Sequence, residues 1–434
     1  MRKTVYITVW LMASIVVGAQ AMPAAGPAAH STAANRTLFS AEQDVTNVLT
    51  LGLGFSAEYD DNVFQSLQNG ISQTLYTVTP EIGWKVTRPH WNWALDYRDS
   101  EGWSTSIAGY NRSSHSAEMD VAYRVTPRLT FSVRDSFIRS NDPFYGSGSS
   151  LTSGVPLGDQ PNASWFGTNR RTSEQVSADV SYLLSARTTA GVGGSYLTQS
   201  FDSVAGAPNL LLQDFYNVSG NGYVQHQFSQ RNTLGVSYDF RKLTSPSGWD
   251  TVAHRPSIYE TFAWDAKNSL SVFAGPECTT TTLPAIFALA GIATRSQGWS
   301  WSAGATYAWS GQRTGLTAGL IRQTSDGGGL TGSVHLTAVN FGVRRQLTRK
   351  LVANVNGGFD LNDALMPSAV FSGSFKYGTA SASLNWAVRS DLAIGVSYTR
   401  QEQTTITAIN GFPWIDRNHV SVSVNYTFNR PLGR

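Results

Sequence analysis

The 434-residue chain carries 32 Lys and Arg against 29 Asp and Glu, a formal net charge of +3. The two signs are interspersed rather than blocked, which points away from a nucleic-acid partner. Hydrophobic residues make up only 41%, and no stretch beyond the N-terminal region approaches the roughly 18 apolar residues of a spanning helix.

Arg2 and Lys3 precede an apolar run from Val5 to Val17, and Ala19-Gln20-Ala21 forms a small-x-small site before Met22. This is the pattern of a cleaved secretory signal peptide over residues 1–21. Its removal takes away Arg2 and Lys3 and leaves 30 basic and 29 acidic residues, a net charge near +1. The sole cysteine, Cys278, lies far downstream, so neither a lipoprotein cysteine nor an internal disulfide is expected. Residues 22–48 are small, polar and rich in Ala and Pro, and read as a flexible periplasmic leader.

At Leu49 the pattern changes. Leu49, Leu51, Leu53, Phe55, Ala57 and Tyr59 alternate with small or polar residues, the period of a strand with one apolar face. Alternation then recurs to the end of the chain, where Val420, Val422, Val424, Tyr426 and Phe428 alternate with Ser421, Ser423, Asn425 and Thr427. This last segment has the length a tilted strand needs to cross a bilayer. Closing on Tyr-Thr-Phe, it resembles the final strand of bacterial outer-membrane barrels, whose terminal aromatic marks them for insertion. Here Asn429 to Arg434 follow as a tail.

Between these ends, short and long connections alternate. The short ones centre on Arg88, Arg128, Arg187, Arg231, Lys267, Arg313, Arg349 with Lys350, and Arg389. Long ones such as Asn141 to Thr168 and Thr404 to Asp416 are rich in small and polar residues. Short turns on one side and long loops on the other are the asymmetry of a membrane barrel, periplasm against exterior. Eight short turns flanked by strands, with the first and last strands added, predict an all-β antiparallel up-and-down barrel of about 18 strands over residues 49–428. Cys278 to Ile292 does not alternate and reads as a loop or a short helix in the mouth. The alternative architecture is a soluble all-β sandwich.

Read facewise, the strands place Glu58, Glu81, Lys85, Asp96, Arg98, Asp120, Arg124, Arg134, Asp179, Asp239 and Arg241 toward the lumen. Aromatics close to the short turns (Trp84, Trp91, Tyr123, Tyr182, Phe228, Trp264, Trp309, Trp386 and Phe428) predict a periplasmic girdle. The basic turn residues fit contact with anionic lipid headgroups, or a positive ring drawing anions to the mouth.

Tyr59-Asp60-Asp61-Asn62-Val63-Phe64, with Thr79-Pro80-Glu81, Trp93-Ala94-Leu95-Asp96-Tyr97 and Ser140-Asn141-Asp142-Pro143, resembles a group of outer-membrane β-barrel porins. That group is often associated with exopolysaccharide production or export, and the resemblance is densest over residues 50–145. It implies a barrel porin with a link to surface polysaccharide, and it carries over no catalytic residues.

Few constellations suggest chemistry. Asp60-Asp61-Asn62 offers oxygen ligands for calcium but lacks the spacing and distal Glu of a calcium loop, and capping of a strand end is the simpler reading. The histidines show no pair at metal-ligand spacing, and there is no GxSxG motif. No cofactor, metal or catalytic residue is expected. The long connection after the fifth predicted strand, with Asp142, Asp159, Trp165 and Phe166, reads as a constriction loop folded into the lumen or as a surface loop.

The expectation is a channel for passive passage of small solutes or saccharides. A non-conducting accessory barrel supporting polysaccharide assembly is the alternative, and a barrel hydrolase a more distant one. Expected partners are outer-membrane lipids, solutes in the lumen and the barrel-assembly machinery during insertion. Oligomeric state has no signature in the sequence.

Overall fold

A computed structural model describes residues 46–63, 70–105, 107, 111–141, 170–202, 214–284, 294–326, 333–365, 374–404 and 414–432. The signal peptide and nearly all of the leader lie outside these residues. Eighteen strands follow in order. The first six are β1 (Thr46–Asp60), β2 (Gln73–Thr87), β3 (Trp91–Ser104), β4 (Asn111–Thr126), β5 (Leu129–Ser140) and β6 (Arg170–Leu183). Next come β7 (Thr188–Asp202), β8 (Phe215–Gln227), β9 (Asn232–Thr244), β10 (Asp250–Ala263), β11 (Asn268–Thr282) and β12 (Arg295–Ser310). The last are β13 (Thr314–Ser325), β14 (Val334–Gln346), β15 (Leu351–Ala364), β16 (Ser374–Ala387), β17 (Leu392–Thr404) and β18 (Trp414–Pro431). Each strand pairs antiparallel with the next, and β18 pairs with β1 from Val48↔Pro431 to Asp60↔His419. The sheet closes on itself, so none of the described strands is left as an outer edge.

All eight predicted short turns join strands at one end of the barrel. Three boundaries differ from the sequence reading. β1 begins at Thr46, three residues before the predicted start, because Thr46 to Val48 pair with Lys85 to Thr87. At the other terminus β18 runs through Asn429 and Arg430 to Pro431, so the first half of the predicted tail belongs to the wall. Of the predicted Cys278 to Ile292 segment, residues 285–292 lie outside the described residues, while Cys278 to Thr282 is strand rather than loop. Its run of threonines hides the alternation, but Thr279 and Thr281 face inward and are buried while the ladder to β12 continues unbroken.

The alternation in the sequence becomes the two faces of the wall. Leu51, Leu53 and Phe55 on β1, Val192 and Tyr196 on β7, and Val420, Val422 and Val424 on β18 all point outward and are exposed. Aromatics bound this band at both heights. Trp84, Trp91, Tyr123, Tyr182, Phe228, Trp264, Trp386 and Phe428 lie exposed near the turns. Tyr59, Tyr76, Tyr97, Trp103, Tyr238, Trp299, Trp301 and Tyr398 form a second belt toward the loop end. On β2, Trp84 and Tyr76 are eight residues apart, roughly 26 Å along a strand or ~20 Å of height at the usual tilt.

The inner wall is close-packed in places. Tyr223, Tyr259 and Phe273 lie across glycines of neighbouring strands, at Gly191, Gly235 and Gly304. They join Ile321, Val334, Leu336 and Ala338 in one apolar cluster on the inner face of β8 to β14. Charged side chains lie on the inner faces both of β18 to β5 and of β9 to β11.

Candidate functional site

By parity within each strand, the predicted lumen residues fall on the face opposite the exposed apolar side chains. What parity could not give is their partners. Arg98 Nη2 lies 3.2 Å from Glu81 Oε2, and Arg134 Nε donates to Asp120 Oδ1 at 2.6 Å. Asp239 pairs with Arg255 at 3.3 Å, and Glu58 pairs with Arg112 and lies 3.2 Å from His419 Nε2. Arg112, Arg255 and His419 were missed by the sequence reading, although each has inward parity on its strand. Lys85 faces the lumen near the turn end and is exposed. Asp96, Arg124 and Asp179 also face inward.

Inner-face exposure varies around the wall, and Thr87, Ser181, Thr189, Gln225 and Ala308 near the turns are buried. Lys85, Asn385 and Asn425 are exposed, whereas Gln73, Gln199, Gln323, Gln401, Tyr377 and Arg417 are at most 2% exposed.

One strand leaves its neighbour toward the loop end and is bound by side chains of the inner face. β13 pairs with β14 along its whole length, from Thr314↔Arg345 to Ser325↔Val334. Its ladder to β12 stops at Arg322↔Ala303, although β12 continues upward to Arg295 on its other side. Beyond Arg322 the alternation of burial ends, and Gln323, Thr324, Ser325 and Asp326 are all buried. This arm is held by inward-facing side chains of three other strands. The Thr324 N–H donates to both carboxylate oxygens of Glu277, at 3.3 Å each. Arg241 Nη1 donates to the Thr324 carbonyl at 2.9 Å, and Arg255 Nη1 to Gln323 Oε1 at 2.7 Å. The main-chain groups that leave the β12 ladder thereby gain charged partners, which offsets the cost of the bend. A small cavity between arm and wall is lined by Ser219, Asn221, Asp239, Arg241, Arg255 and Glu277.

Asp142, Asp159, Trp165 and Phe166, the predicted constriction loop, lie outside the described residues. The Asp60-Asp61-Asn62 run ties the barrel together rather than presenting free calcium ligands. Asp60 accepts from Arg417, and Asp61 accepts from the Asn418 main chain at 2.7 Å and from its side chain at 2.6 Å. Asn62 Nδ2 donates to the Asp416 carbonyl at 3.0 Å. The basic turn residues form local contacts, such as Lys350 Nζ to the Val388 carbonyl at 3.0 Å and Arg389 to Asp391 at 3.4 Å.

On the outer face, Asp99, Glu101 and His115 converge across β3 and β4, with ligand-capable atoms within 4.8 Å of one another. No spacing in the sequence announced this. Asp99 and Glu101 belong to β3 and His115 to β4, and it is the β3–β4 register that sets Asp99 opposite His115.

No protein-family model matches the chain, and no curated protein matches it. Solved structures of similar outline include OccK2 (OpdF) of Pseudomonas aeruginosa in complex with glucuronate, at 11% identity and TM-score 0.44, covering 89% of this chain and 100% of that one. OccAB4 of Acinetobacter baumannii is similar at 11% identity and TM-score 0.44, covering 90% and 100%. The FrpB iron transporter from Neisseria meningitidis (F5-1 variant) is similar at 10% identity and TM-score 0.44, covering 89% and 83%.

Proposed function

We propose that the protein is an outer-membrane channel for passive passage of small polar solutes, saccharides among them. The observation that carries this reading is the sidedness of a closed 18-stranded wall, apolar and aromatic-belted outside, polar and charged within. A barrel of this size has a lumen too wide for its wall side chains to fill. The turn end, where β1 begins and β18 ends, faces the periplasm, and the long loops face the exterior. The β13 arm supplies a constriction at the exterior end of the lumen. Paired charges of both signs along the wall favour a neutral, hydroxyl-rich solute over a single class of ion.

The test is single-channel recording from the refolded protein in a planar bilayer. Stable ohmic steps are expected, with sugars blocking current as they bind. Glu277→Gln with Arg241→Ala releases the arm and raises the conductance. Silence from protein whose heat-modifiable mobility shows it to be folded overturns the channel. That outcome supports the second reading, an accessory barrel closed at its exterior end that serves surface polysaccharide assembly. The near-complete burial of Gln73, Gln199, Gln401 and Arg417 on the inner face is what favours it.

A further inference from the structure

Three side chains on the outer face stand in the order nucleophile, base, acid. Ser113 Oγ lies 3.2 Å from His115 Nε2. On the other side of the ring, His115 Nδ1 lies 3.0 Å from Asp99 Oδ1. Ser113 and His115 are two apart on β4 and so project from the same face, and the β3 register sets Asp99 directly opposite His115. A serine hydroxyl, an imidazole and a carboxylate in this relation form the arrangement that activates an oxygen nucleophile, recognised by geometry and role rather than by order in the chain.

We propose that Ser113, His115 and Asp99 form an acyl-ester hydrolase centre on the lipid-facing surface, acting on ester-linked lipids of the outer leaflet. The position identifies the substrate. On β3, Tyr97, Asp99, Glu101 and Trp103 share one face, so the centre lies between two exposed rings of the loop-end aromatic belt. Such belts mark the headgroup level, where the ester carbonyls of lipids reside. The centre is accessible, with the His115 side chain 35% and that of Asp99 30% exposed. Arg139, cross-strand neighbour of His115 on the same face, is 45% exposed and pairs with Asp202 at 3.5 Å, so a cation lies beside the centre that an anionic headgroup would share with that carboxylate.

In the reaction, Ser113 Oγ bonds to the ester carbonyl carbon as its proton passes to His115 Nε2. Collapse of the tetrahedral intermediate breaks the bond to the alcohol oxygen, which takes that proton. Water then attacks the acyl-serine with His115 again as base, releasing the fatty acid and restoring Ser113. Asp99 is a positioning residue that stabilises the imidazolium. At rest Ser113 Oγ donates to Glu101 Oε1 at 2.9 Å, so its proton must turn from Glu101 to His115 before attack. The Asp99 oxygen facing the ring is buried and lacks hydrogen-bond alignment at rest, and that contact must tighten as well.

The experiment uses the full refolded chain in mixed micelles with EDTA, a fluorescent phosphatidylcholine ester as substrate and a fluorophosphonate as active-site probe. Fatty-acid release and fluorophosphonate attached to Ser113 are expected, with both lost in Ser113→Ala and His115→Ala. Asp99→Asn lowers the rate and alters its pH profile. Heat-modifiable mobility verifies that each variant is folded, and Ser113→Cys serves if Ser113→Ala does not fold. No hydrolysis by folded wild type, equal hydrolysis by Ser113→Ala, or hydrolysis only when zinc replaces the chelator overturns the proposal. The last outcome would make Asp99, Glu101 and His115 metal ligands instead.

Discussion

Arg417 Nε lies 2.9 Å from each carboxylate oxygen of Asp60, and this pair fastens the last strand to the first across the closing seam of the barrel. Both side chains are buried, at 0% and 3% exposure. Asn62 adds a main-chain bond to the same carboxylate at 3.0 Å, so the carboxylate has several partners.

Removing either partner leaves a buried charge without its counter-ion, a change worth about 3–5 kcal/mol. Arg417→Ala and Asp60→Ala should each lower the midpoint of urea unfolding, followed by heat-modifiable mobility. The double variant should lose much less than the sum of the two. Additive losses would show that the pair does not couple the two strands.

Gly235 has no room for a side chain. A Cβ there would lie 2.2 Å from Tyr259 Cζ, because the ring crosses the wall at that point and donates from Oη to Gln225 at 3.1 Å. Gly235→Ala should therefore destabilise by about 1–3 kcal/mol through overpacking. Gly298 is the control, since a Cβ there would meet nothing within 4 Å. Alanine at that position should be neutral in the same unfolding assay.

Lumen charges occur largely as opposite-sign pairs, Glu81 with Arg98, Asp120 with Arg134 and Asp239 with Arg255. Fields of such pairs cancel within about a Debye length, ~8 Å at physiological ionic strength. Reversal potentials in a salt gradient should show only a weak preference between potassium and chloride. Lys85→Glu, which alters an exposed inward charge, should move the reversal potential toward cation selectivity; a strong native preference for either ion contradicts this reading.

Asp265, in the turn between β10 and β11, is held below its ordinary value of 3.8. The main cause is the Lys267 N–H, which donates to its carboxylate, followed by the Asn268 side chain. A depressed folded-state value contributes stability above the unfolded value, and that contribution is lost as pH falls through the folded one. Asp265→Ala should be less stable than wild type at pH 7, with the gap closing as the pH drops below 3.8. A gap that persists unchanged at the acid end would assign it to something other than the ionised carboxylate.

Much of the wall was legible because each strand repeats one physical rule. Leu51, Leu53 and Phe55 must leave the lumen together, and that sends Glu58 inward. The basic turns were legible for a similar reason, since each interrupts two alternating runs. The β13 arm was not. Thr314 to Ser325 reads as an ordinary strand, and its departure from β12 depends on Glu277, Arg241 and Arg255, three residues on three other strands. The Ser113, His115 and Asp99 constellation escaped in the same way, because it needs the β3–β4 register as well as the residue types. Threonines from Thr279 to Thr282 obscured a strand end, as residues of equal polarity give alternation no contrast.

The seam also bears on how the barrel comes to exist. Asp60 and Arg417 stand 357 positions apart in the chain, and pairs farther along the same seam, such as Val48 with Pro431, span still more. Every other strand meets its partner through a hairpin connection, whereas this meeting must await the synthesis and export of nearly the whole polypeptide. Loop-closure entropy grows only as the logarithm of length, so the thermodynamic penalty is modest. The kinetic one is larger, because non-local pairings form late and slowly. Until they form, β1 and β18 are two open edges, each able to capture a strand from another molecule. An assembly catalyst that shields those edges until they meet would act at the step where this chain is most exposed to misassembly.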